Sequence, residues 1–311
     1  MVVNAIEVTD LRKSYGDFEA LRGVSFTVAV GEVFCLLGPN GAGKTTTTEI
    51  LEGYRSRDAG SVSVLGLDPA HGPRQLRERV GIVLQSCGLQ DDLTVTELLT
   101  MYRRYHVRER DVGELIELVE LVEKRDARAR ELSGGQRRRL DLALALVGDP
   151  DLVFLDEPTT GFDPAARRHA WSTIRSLCQL GKTVVLTTHF MDEAQALADR
   201  VAVMRDGVIV AEGKPEELGG RDVMPSEIRF VLPPDRTAAD LPALPAVELT
   251  CDGDHLVLRT REVVPVTARI TAWAVEQEID LGHFSVTQPS LEDVYLALTG
   301  SDLDGGAAAE R

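Results

Sequence analysis

Cysteine is scarce in this chain, and its arrangement excludes two common roles of that residue. The four cysteines lie far apart along the sequence and form no C-x-x-C pair. Neither a disulfide framework nor a zinc knuckle is therefore predicted. A reducing compartment such as the cytoplasm suits a chain of this kind. The four residues are Cys35, Cys87, Cys178 and Cys251.

Long hydrophobic runs are also missing. The longest, from Val28 to Gly38, is interrupted by Gly31 and Glu32, whereas a membrane-spanning helix needs about 20 apolar residues. The first residues, MVVNAIEVTDLRKSYG, include no basic leader followed by an apolar stretch, so no signal peptide is predicted. If the protein acts on a membrane, we expect another chain to span it.

Basic residues are outnumbered by acidic ones, 34 to 50, which gives a net charge of −16. Such a charge repels phosphate backbones at long range and argues against non-specific binding of nucleic acid. The net charge does not argue against a local nucleotide-binding site. The basic run Arg137, Arg138 and Arg139 is interpreted as the solvated or subunit-facing side of a helix.

The apolar residues that are present follow the pattern of an α/β protein. Continuous apolar runs at 33–37, 152–155 and 183–187 indicate buried parallel strands, and the last two each follow a helical stretch. Helical signals dominate between about 90 and 150, where Thr94 and Glu97 form a capping box before Leu98, Leu99, Tyr102 and Tyr105. Near the N-terminus the alternation predicts strands with Ile6, Val8, Val24, Phe26 and Val28 facing inward.

The 311 residues, 43% of them hydrophobic, suit one large domain and a smaller one. We predict a first domain over residues 1–220, with a helical subdomain at about 89–150, and a small α+β domain over 221–300. The stretch GGRDVMPS at 219–226 is interpreted as the linker, and 301–311 as a disordered tail. The second domain is predicted to contain a strand through Ile228, Phe230 and Leu232, a strand at 255–260, a helix through Ile270 and Trp273, and a helix capped by Ser290 and Asp293.

The segment GPNGAGKT, from Gly38 to Thr45, matches the pattern G-x-x-x-x-G-K-[ST] between a buried strand and a plausible helix. Glycines allow backbone amides to wrap phosphate groups at a helix N-terminus. Lys44 would reach the β- and γ-phosphates, and the Thr45 hydroxyl would bind Mg²⁺. The alternative is a chance glycine-rich turn, which the full match and the strand before it disfavour.

Two acids, Asp156 and Glu157, end the apolar run LVFL. This position lies at the carboxyl edge of a parallel sheet, where ligands bind. Asp156 would hold Mg²⁺ and Glu157 would polarise an attacking water. Acids after a strand are often solvated loop residues, but the phosphate loop upstream favours the functional reading.

The segment LSGGQ, from Leu132 to Gln136, begins an amphipathic helix. The Ser133 hydroxyl and the amides of Gly134 and Gly135 would form a second anion-binding helix terminus in the same chain. One nucleotide does not need two such cradles.

With this segment the sequence resembles the ATP-binding-cassette (ABC) family of ATPases, over residues 4 to 219. The resemblance implies a P-loop NTPase cassette with a parallel-sheet core, an antiparallel β subdomain and an α-helical signature subdomain, followed here by the small α+β module. It also implies that LSGGQ closes over the ATP of a partner subunit. Phe162 stands where the family usually has leucine.

The resemblance assigns roles to further residues. Tyr15 matches the aromatic residue that stacks on adenine, Gln85 the glutamine that senses the γ-phosphate, Asp163 the aspartate at the dimer interface, and His189 the histidine that contacts the γ-phosphate. Taken singly, Tyr15 could be a packed aromatic and His189 a structural histidine. The other histidines have no partners at metal-ligand spacing and are interpreted as structural or surface residues: His71, His106, His169, His255 and His283.

The full site implied in this way has three parts. The catalytic residues are Glu157 and His189. The Mg²⁺ ligands are Thr45, Gln85 and Asp156. The nucleotide-binding residues are Tyr15, Gly38, Pro39, Asn40, Gly41, Ala42, Gly43, Lys44, Thr45, Thr46, Gln85, Ser133, Gly134, Gly135, Gln136, Asp156 and Asp163.

The resemblance extends to a branch of the family. The spacing from Lys44 to Asp156 is too short for the long insertion of the chromosome-maintenance relatives, and a single cassette disfavours the ribosome-associated class. EGYRSRDAGSVSVLGLDP and PSLEDVYLALTG resemble the drug-exporting (daunorubicin-resistance-like) branch. The implied partners are a second cassette, as a homodimer, and a permease of about six spans, at the cytoplasmic face of the plasma membrane. A non-transport clamp on a protein or nucleic acid is the alternative.

Overall fold

The computed structural model describes residues 3–83, 90–218, 224–244, 246–288, 290–291 and 293–295. The chain divides into two compact units, Met1–Pro215 and Glu216–Arg311. Gln85, most of the predicted linker and the predicted tail at 301–311 lie outside the described residues.

The secondary structure alternates strands and helices through most of the first unit. The helices are α1 (Lys44–Leu51), α2 (Arg74–Arg77), α3 (Val95–Arg103), α4 (Val112–Leu118), α5 (Gly134–Leu146), α6 (Pro164–Gln179), α7 (Met191–Leu197) and α8 (Val263–Glu276). The strands are β1 (Asn4–Tyr15), β2 (Phe18–Ala29), β3 (Val33–Leu37), β4 (Ala59–Val64), β5 (Val80–Val83), β6 (Leu152–Asp156), β7 (Thr183–Thr188), β8 (Arg200–Arg205), β9 (Val208–Gly213), β10 (Ser226–Val231), β11 (Val247–Asp252), β12 (His255–Thr260) and β13 (Gly282–Thr287).

An antiparallel sheet in the order β2-β1-β4 forms from the N-terminal strands. Side chains alternate between its two faces, and the apolar set turns toward the core. All five residues predicted to face inward are buried, and Phe26 stacks on Phe34 of β3 with ring centroids 5.0 Å apart. The period-2 pattern therefore predicts this sheet correctly.

The core sheet has the order β5-β6-β7-β3-β8-β9, and its pairs are parallel except for β8 with β9. Its middle strand β3 is buried along its whole length, as the apolar run predicts. Because parallel strands end at the same edge of a sheet, the segments after β3, β6 and β7 meet there. These segments carry Lys44, Glu157 and His189, respectively.

The capping box predicted at Thr94 and Glu97 is present at the start of α3. The Thr94 side chain accepts a hydrogen bond from the Glu97 amide, and the Glu97 carboxylate accepts one from the Thr94 amide. The prediction that Tyr105 belongs to the same helix is wrong, because α3 ends at Arg103. The Tyr105 amide donates to the Tyr102 carbonyl at 3.0 Å, a tightened turn of the kind that often ends a helix, and the Tyr105 side chain is exposed.

The second unit is an antiparallel sheet in the order β11-β12-β10-β13. Ile228, Phe230 and Leu258 form a small core with Val266 and Ile270 of α8. The hydroxyl of Ser290 accepts from the amide of Asp293, as the predicted cap requires. Among the described residues, no helix is long and apolar enough to cross a membrane.

Candidate nucleotide-binding and hydrolysis site

The phosphate loop lies between β3 and the start of α1, and two of its glycines are required by close contacts. A Cβ atom on Gly38 would lie 2.3 Å from the carbonyl oxygen of Met204. Gly43 has φ of +102°, and a Cβ atom there would lie 2.7 Å from Leu21 Cδ2. Both positions therefore leave no room for a side chain. The first amides of a helix have no partner within it, and the first residues of α1, Lys44, Thr45 and Thr46, line a cleft.

Lys44 is almost fully buried beneath this loop. Its Nζ donates to the carbonyl oxygens of Gly38 at 2.7 Å and Pro39 at 3.0 Å. Burial lowers the pKa of Lys44, and the negative charges of Glu157 and Asp156 offset part of this effect. The ammonium group is thus held by weak neutral acceptors, which an anionic phosphate would replace with stronger, charge-assisted bonds.

A cleft of about 410 Å³ opens over the loop. Tyr15 and Phe18 stand opposite each other at the end of the β1–β2 hairpin and line this cleft. Both rings are exposed, by 40% and 62%, and the Arg55 guanidinium lies 5.1 Å from the Tyr15 ring centroid. Exposed aromatic rings offer a stacking surface for a nucleobase. Tyr15 was predicted, whereas Phe18 was missed because the pattern gives no sign that it faces Tyr15.

Most of the predicted phosphate-loop residues and both predicted acids line this cleft, whereas Gly38, Pro39, Ala42 and His189 are not among its lining residues. Lining it are Tyr15, Asn40, Gly41, Gly43, Lys44, Thr45, Thr46, Asp156 and Glu157. The Asp156 carboxylate accepts a hydrogen bond of 2.5 Å from the hydroxyl of Thr187. The Glu157 amide donates to both the carbonyl and the hydroxyl oxygen of Thr187, at 3.1 Å each. Thr187 therefore orients both acids, and the sequence analysis missed it.

The backbone and side chain of Glu157 are both constrained. Its φ of +44° is in the left-handed region, which is uncommon for a residue with a side chain and typical of functional sites. Glu157 Oε1 lies 3.1 Å from Nδ1 of His189, and Oε2 accepts a 3.0 Å hydrogen bond from the Thr160 hydroxyl. The carboxylate is thus fixed by one group on each side, an arrangement suited to a general base.

The donor set at the cleft fits Mg²⁺. Thr45 and Asp156 both line the cleft and supply hard oxygen donors. In the described part of the chain, no group of three or more His, Cys, Asp or Glu could hold a metal by itself. In the usual Mg²⁺ site, one or two protein ligands are completed by phosphate and water. The third predicted ligand, Gln85, lies outside the described residues.

The signature segment forms a helix N-terminus that does not line this cleft. Ser133 is the N-cap of α5, where its hydroxyl accepts from the Gln136 amide and the Gln136 side chain accepts from the Ser133 amide. Ser133 and Gly134 are exposed. Asp163 precedes α6, and its carboxylate accepts a hydrogen bond from the Ala166 amide. Ser133 to Gln136 are therefore not among the residues that line the cleft of their own chain.

The run Arg137, Arg138 and Arg139 is predicted to form the solvated or subunit-facing side of α5, and Arg138 does not fit the solvated alternative. Its guanidinium is partly buried and donates to the main-chain carbonyls of Asp156 and Pro158. The helical period explains the difference, because successive residues point 100° apart and the middle arginine turns inward. Arg137 pairs with Asp91, and Arg139 donates to Glu120.

Fold and site together define a P-loop nucleotide-binding cassette. The family model described as "ABC transporter" matches residues 21–160, and that described as "ABC transporter domain-containing protein-like, C-terminal domain" matches residues 226–290. Among similar proteins, the Nod factor export ATP-binding protein I of Paraburkholderia xenovorans is 43% identical, with 96% of this chain and 98% of that protein covered. Its counterpart in Rhizobium etli is 40% identical, with 98% and 96% covered.

Solved structures agree. The cassette cbiO1 from Clostridium perfringens, part of the ABC transporter complex cbiONQ, is 27% identical, with a TM-score of 0.63 over 69% of this chain and 90% of that one. A dimeric ATP-binding cassette in a post-hydrolysis state, bound to ADP and phosphate, is 25% identical, with a TM-score of 0.60 over 67% of this chain and 98% of that one. The chain belongs to the ABC transporter family and is an ATPase of that family.

Proposed function

We propose that this chain is the ATP-hydrolysing subunit of an ABC export system and works as a dimer of cassettes on a separate membrane permease. The observation that carries the catalytic part is the position of Glu157. Its carboxylate is held between His189 and Thr160 at the edge of the cleft that Lys44 and Thr45 line.

ATP binding follows from the groups around the cleft. The adenine ring stacks on Tyr15, and Phe18 opposite it supplies a second apolar wall. The amides at the start of α1 and the ammonium of Lys44 bind the β- and γ-phosphates. Thr45 and Asp156, with Gln85, would hold Mg²⁺, which supplies Lewis-acid charge neutralisation on the phosphate oxygens when it is bound.

Hydrolysis is assigned to the pair Glu157 and His189. Glu157 accepts a proton from the water that attacks the γ-phosphorus, the bond between that phosphorus and the bridging oxygen breaks, and ADP and phosphate leave. His189 uses Nδ1 to orient Glu157, and its other ring nitrogen is the atom proposed to contact the γ-phosphate. Removal of a general base typically costs about 10²- to 10⁴-fold in rate.

Dimerisation explains the second anion-binding terminus. Ser133, Gly134 and Gly135 lie outside the cleft of their own chain, so we assign them to the γ-phosphate of ATP in a partner cassette. Two ATP molecules would then join two chains, and loss of the γ-phosphate would let them separate. Asp163 is proposed to lie along this interface.

Export is supported by the relatives, whose names state Nod factor export and which align with nearly the whole chain. We propose that the cargo here is a drug, an antibiotic or a lipid-like molecule, as the resemblance to the drug-exporting branch implies. The permease, of about six spans, would place the cassette at the cytoplasmic face of the plasma membrane. Co-purification with a co-expressed permease encoded by a neighbouring gene tests this part.

The catalytic part is tested by Glu157→Gln. This change keeps the size of the side chain but removes a carboxylate that can take a proton. We expect turnover to fall by about 10²- to 10⁴-fold while ATP still binds, and a dimer to accumulate with Mg-ATP in light scattering. Glu120→Gln, at a residue that pairs with Arg139, serves as the control. Wild-type turnover in Glu157→Gln, or a monomer under saturating Mg-ATP, would contradict the proposal.

A further inference from the structure

Glu193 is a fully buried carboxyl group that the proposed hydrolysis does not use. It lies on α7, four residues after His189, with 0% of its surface exposed. Burial raises the pKa of Glu193, which reflects the cost of placing a carboxylate in the protein interior. Buried polar groups are normally hydrogen-bonded, so we expect the neighbours of Glu193 to include hydrogen-bond donors.

Two donors converge on one oxygen of this carboxyl group. Oε1 accepts a 2.8 Å hydrogen bond from the hydroxyl of Thr159 and a 3.2 Å hydrogen bond from the indole nitrogen of Trp171. Oε2 is buried and has no donor within ordinary hydrogen-bond distance among the described residues. The side chain of Thr188, the residue before His189, also interacts with this carboxyl group and offsets part of the rise in pKa that burial causes. The two hydrogen bonds of ordinary length therefore both reach Glu193 through one oxygen.

Glu193 and its two donors come from the three segments that surround the catalytic pair. Thr159 lies two residues after Glu157, Glu193 follows His189, and Trp171 lies on α6, which begins directly after Asp163. Because hydrogen bonds are directional, this junction fixes the positions of the three segments relative to one another. Apolar packing alone would define these positions less precisely.

A second contact joins the same helices. The Arg167 guanidinium of α6 lies 4.3 Å from the ring centroid of Phe190, and that ring lies 4.1 Å from the imidazole of His189. Arg167 also donates to Asp192 at 3.0 Å. Two contacts thus attach the segment that carries His189 to α6: one through the partly exposed Arg167 and one through the buried Glu193.

We propose that Glu193 is a positioning residue that joins Thr159, Trp171 and α7 and so holds His189 at hydrogen-bond distance from Glu157. The proposal rests on the function proposed above. Through Trp171 the junction also links the catalytic pair to α6, the helix that follows the interface residue Asp163. Glu193 acts through its neighbours and does not touch the nucleotide.

The test compares Glu193→Gln, which keeps an acceptor oxygen, with Glu193→Leu, which has a similar size and no acceptor. A displacement of about 1 Å at a catalytic group can cost 10²-fold, so we expect Glu193→Leu to lower kcat roughly 10- to 100-fold. KM and the Kd for Mg-ATP should change less than about threefold, because the phosphate loop is intact. Glu193→Gln should stay within about threefold of wild type.

A spectroscopic measurement distinguishes positioning from general damage to the fold. The imidazole signals of the isotope-labelled full chain report on the six histidines, and His189→Gln assigns the signal of His189. We expect Glu193→Leu to shift this signal, and Glu193→Gln to leave it as in wild type. Thr159→Val, which removes one donor at nearly constant volume, should act in the same direction and replaces Glu193→Leu if the latter does not fold.

Three results would overturn the proposal: wild-type kcat in Glu193→Leu and Thr159→Val, equal impairment of Glu193→Gln and Glu193→Leu, or an unchanged His189 signal in a variant with low kcat. Failure of the proposed function itself would look different, since the wild-type chain would then fail to bind or hydrolyse ATP.

Discussion

Arg138 donates a 3.0 Å hydrogen bond from Nη2 to the main-chain carbonyl of Asp156. Its Nε donates to the carbonyl of Pro158 at 3.3 Å. Arg138 lies on α5, the helix that Ser133 begins, so the signature helix is attached to the main chain on both sides of Glu157. In a dimer, Ser133 would contact the ATP bound by the partner and Glu157 would act on the ATP bound by its own chain. The hydrogen bonds of Arg138 would then connect the two sites.

The first prediction is that Arg138→Met lowers kcat about tenfold. The main-chain carbonyls of Asp156 and Pro158, on either side of Glu157, lose their hydrogen-bond donor in this variant, so Glu157 is positioned less accurately. The Kd for ATP should stay close to that of wild type. Arg139→Met is the matched control, since Arg139 donates to Glu120 instead. Equal effects of the two substitutions on initial ATPase rates would exclude a specific role of Arg138.

The second prediction concerns the division of the site between two chains. Lys44→Ala and Ser133→Arg should each inactivate the homodimer, because each removes one half of both composite pockets. In a mixed dimer one pocket carries both lesions and the other carries neither. Mixing the two inactive proteins in equal amounts should therefore restore ATPase activity, to about a quarter of wild type if dimers form at random and sites act independently.

The control is each variant mixed with itself at the same total concentration. If Ser133→Arg alone hydrolyses ATP at the wild-type rate while it forms a dimer, Ser133 does not contribute to a composite pocket and the assignment in trans is wrong.

The contiguous parts of the site could be predicted from the sequence. Gly38 to Thr45 and Asp156-Glu157 each follow an apolar run that could only be a buried strand, and parallel strands bring their carboxyl ends together. Thr187, Arg138 and Glu193 could not be predicted in this way. Their roles depend on hydrogen bonds between segments far apart in the chain, and a threonine in a strand or a charged residue in a helix has the same local pattern whether or not it makes them.

The third prediction separates the two aromatic residues from the phosphate loop. Base stacking on an aromatic side chain is worth about 1–3 kcal/mol by alanine substitution, so Tyr15→Ala should raise the Kd for ATP roughly 5- to 100-fold. Phe18→Ala should have a similar but smaller effect. Neither change should alter the affinity for inorganic tripolyphosphate, which has no base, whereas Lys44→Ala should weaken both ligands. Calorimetry with the two ligands gives the comparison, and loss of tripolyphosphate binding in Tyr15→Ala would contradict it.

The fourth prediction is a pH dependence of stability that comes from Asp141 of α5. This side chain is 9% exposed, and its Oδ1 is buried without a hydrogen bond from the described residues. Burial raises the pKa of Asp141 to about 6, and the charges of Arg138 and Arg137 offset part of the effect. In an unfolded chain the pKa is about 3.9. Between about pH 4 and 6 the folded protein therefore keeps a proton that the unfolded chain has lost, so stability from this group falls as pH rises and stays low above that window.

Asp141→Asn removes this titration while it keeps the shape of the side chain. We expect the variant and wild type to differ little near pH 4 in the part of the free energy of unfolding that depends on this group. Above about pH 6 the variant should be more stable relative to wild type than it is at pH 4, by roughly 1–3 kcal/mol, because the wild type loses the contribution of this group and each unit of pKa shift corresponds to 1.36 kcal/mol. Urea unfolding at a series of pH values measures the difference. Asp126→Asn, at an exposed aspartate of the same subdomain, is the control and should show no such rise. A difference between Asp141→Asn and wild type that stays constant from pH 4 to pH 8 would show that the buried carboxyl is not the source.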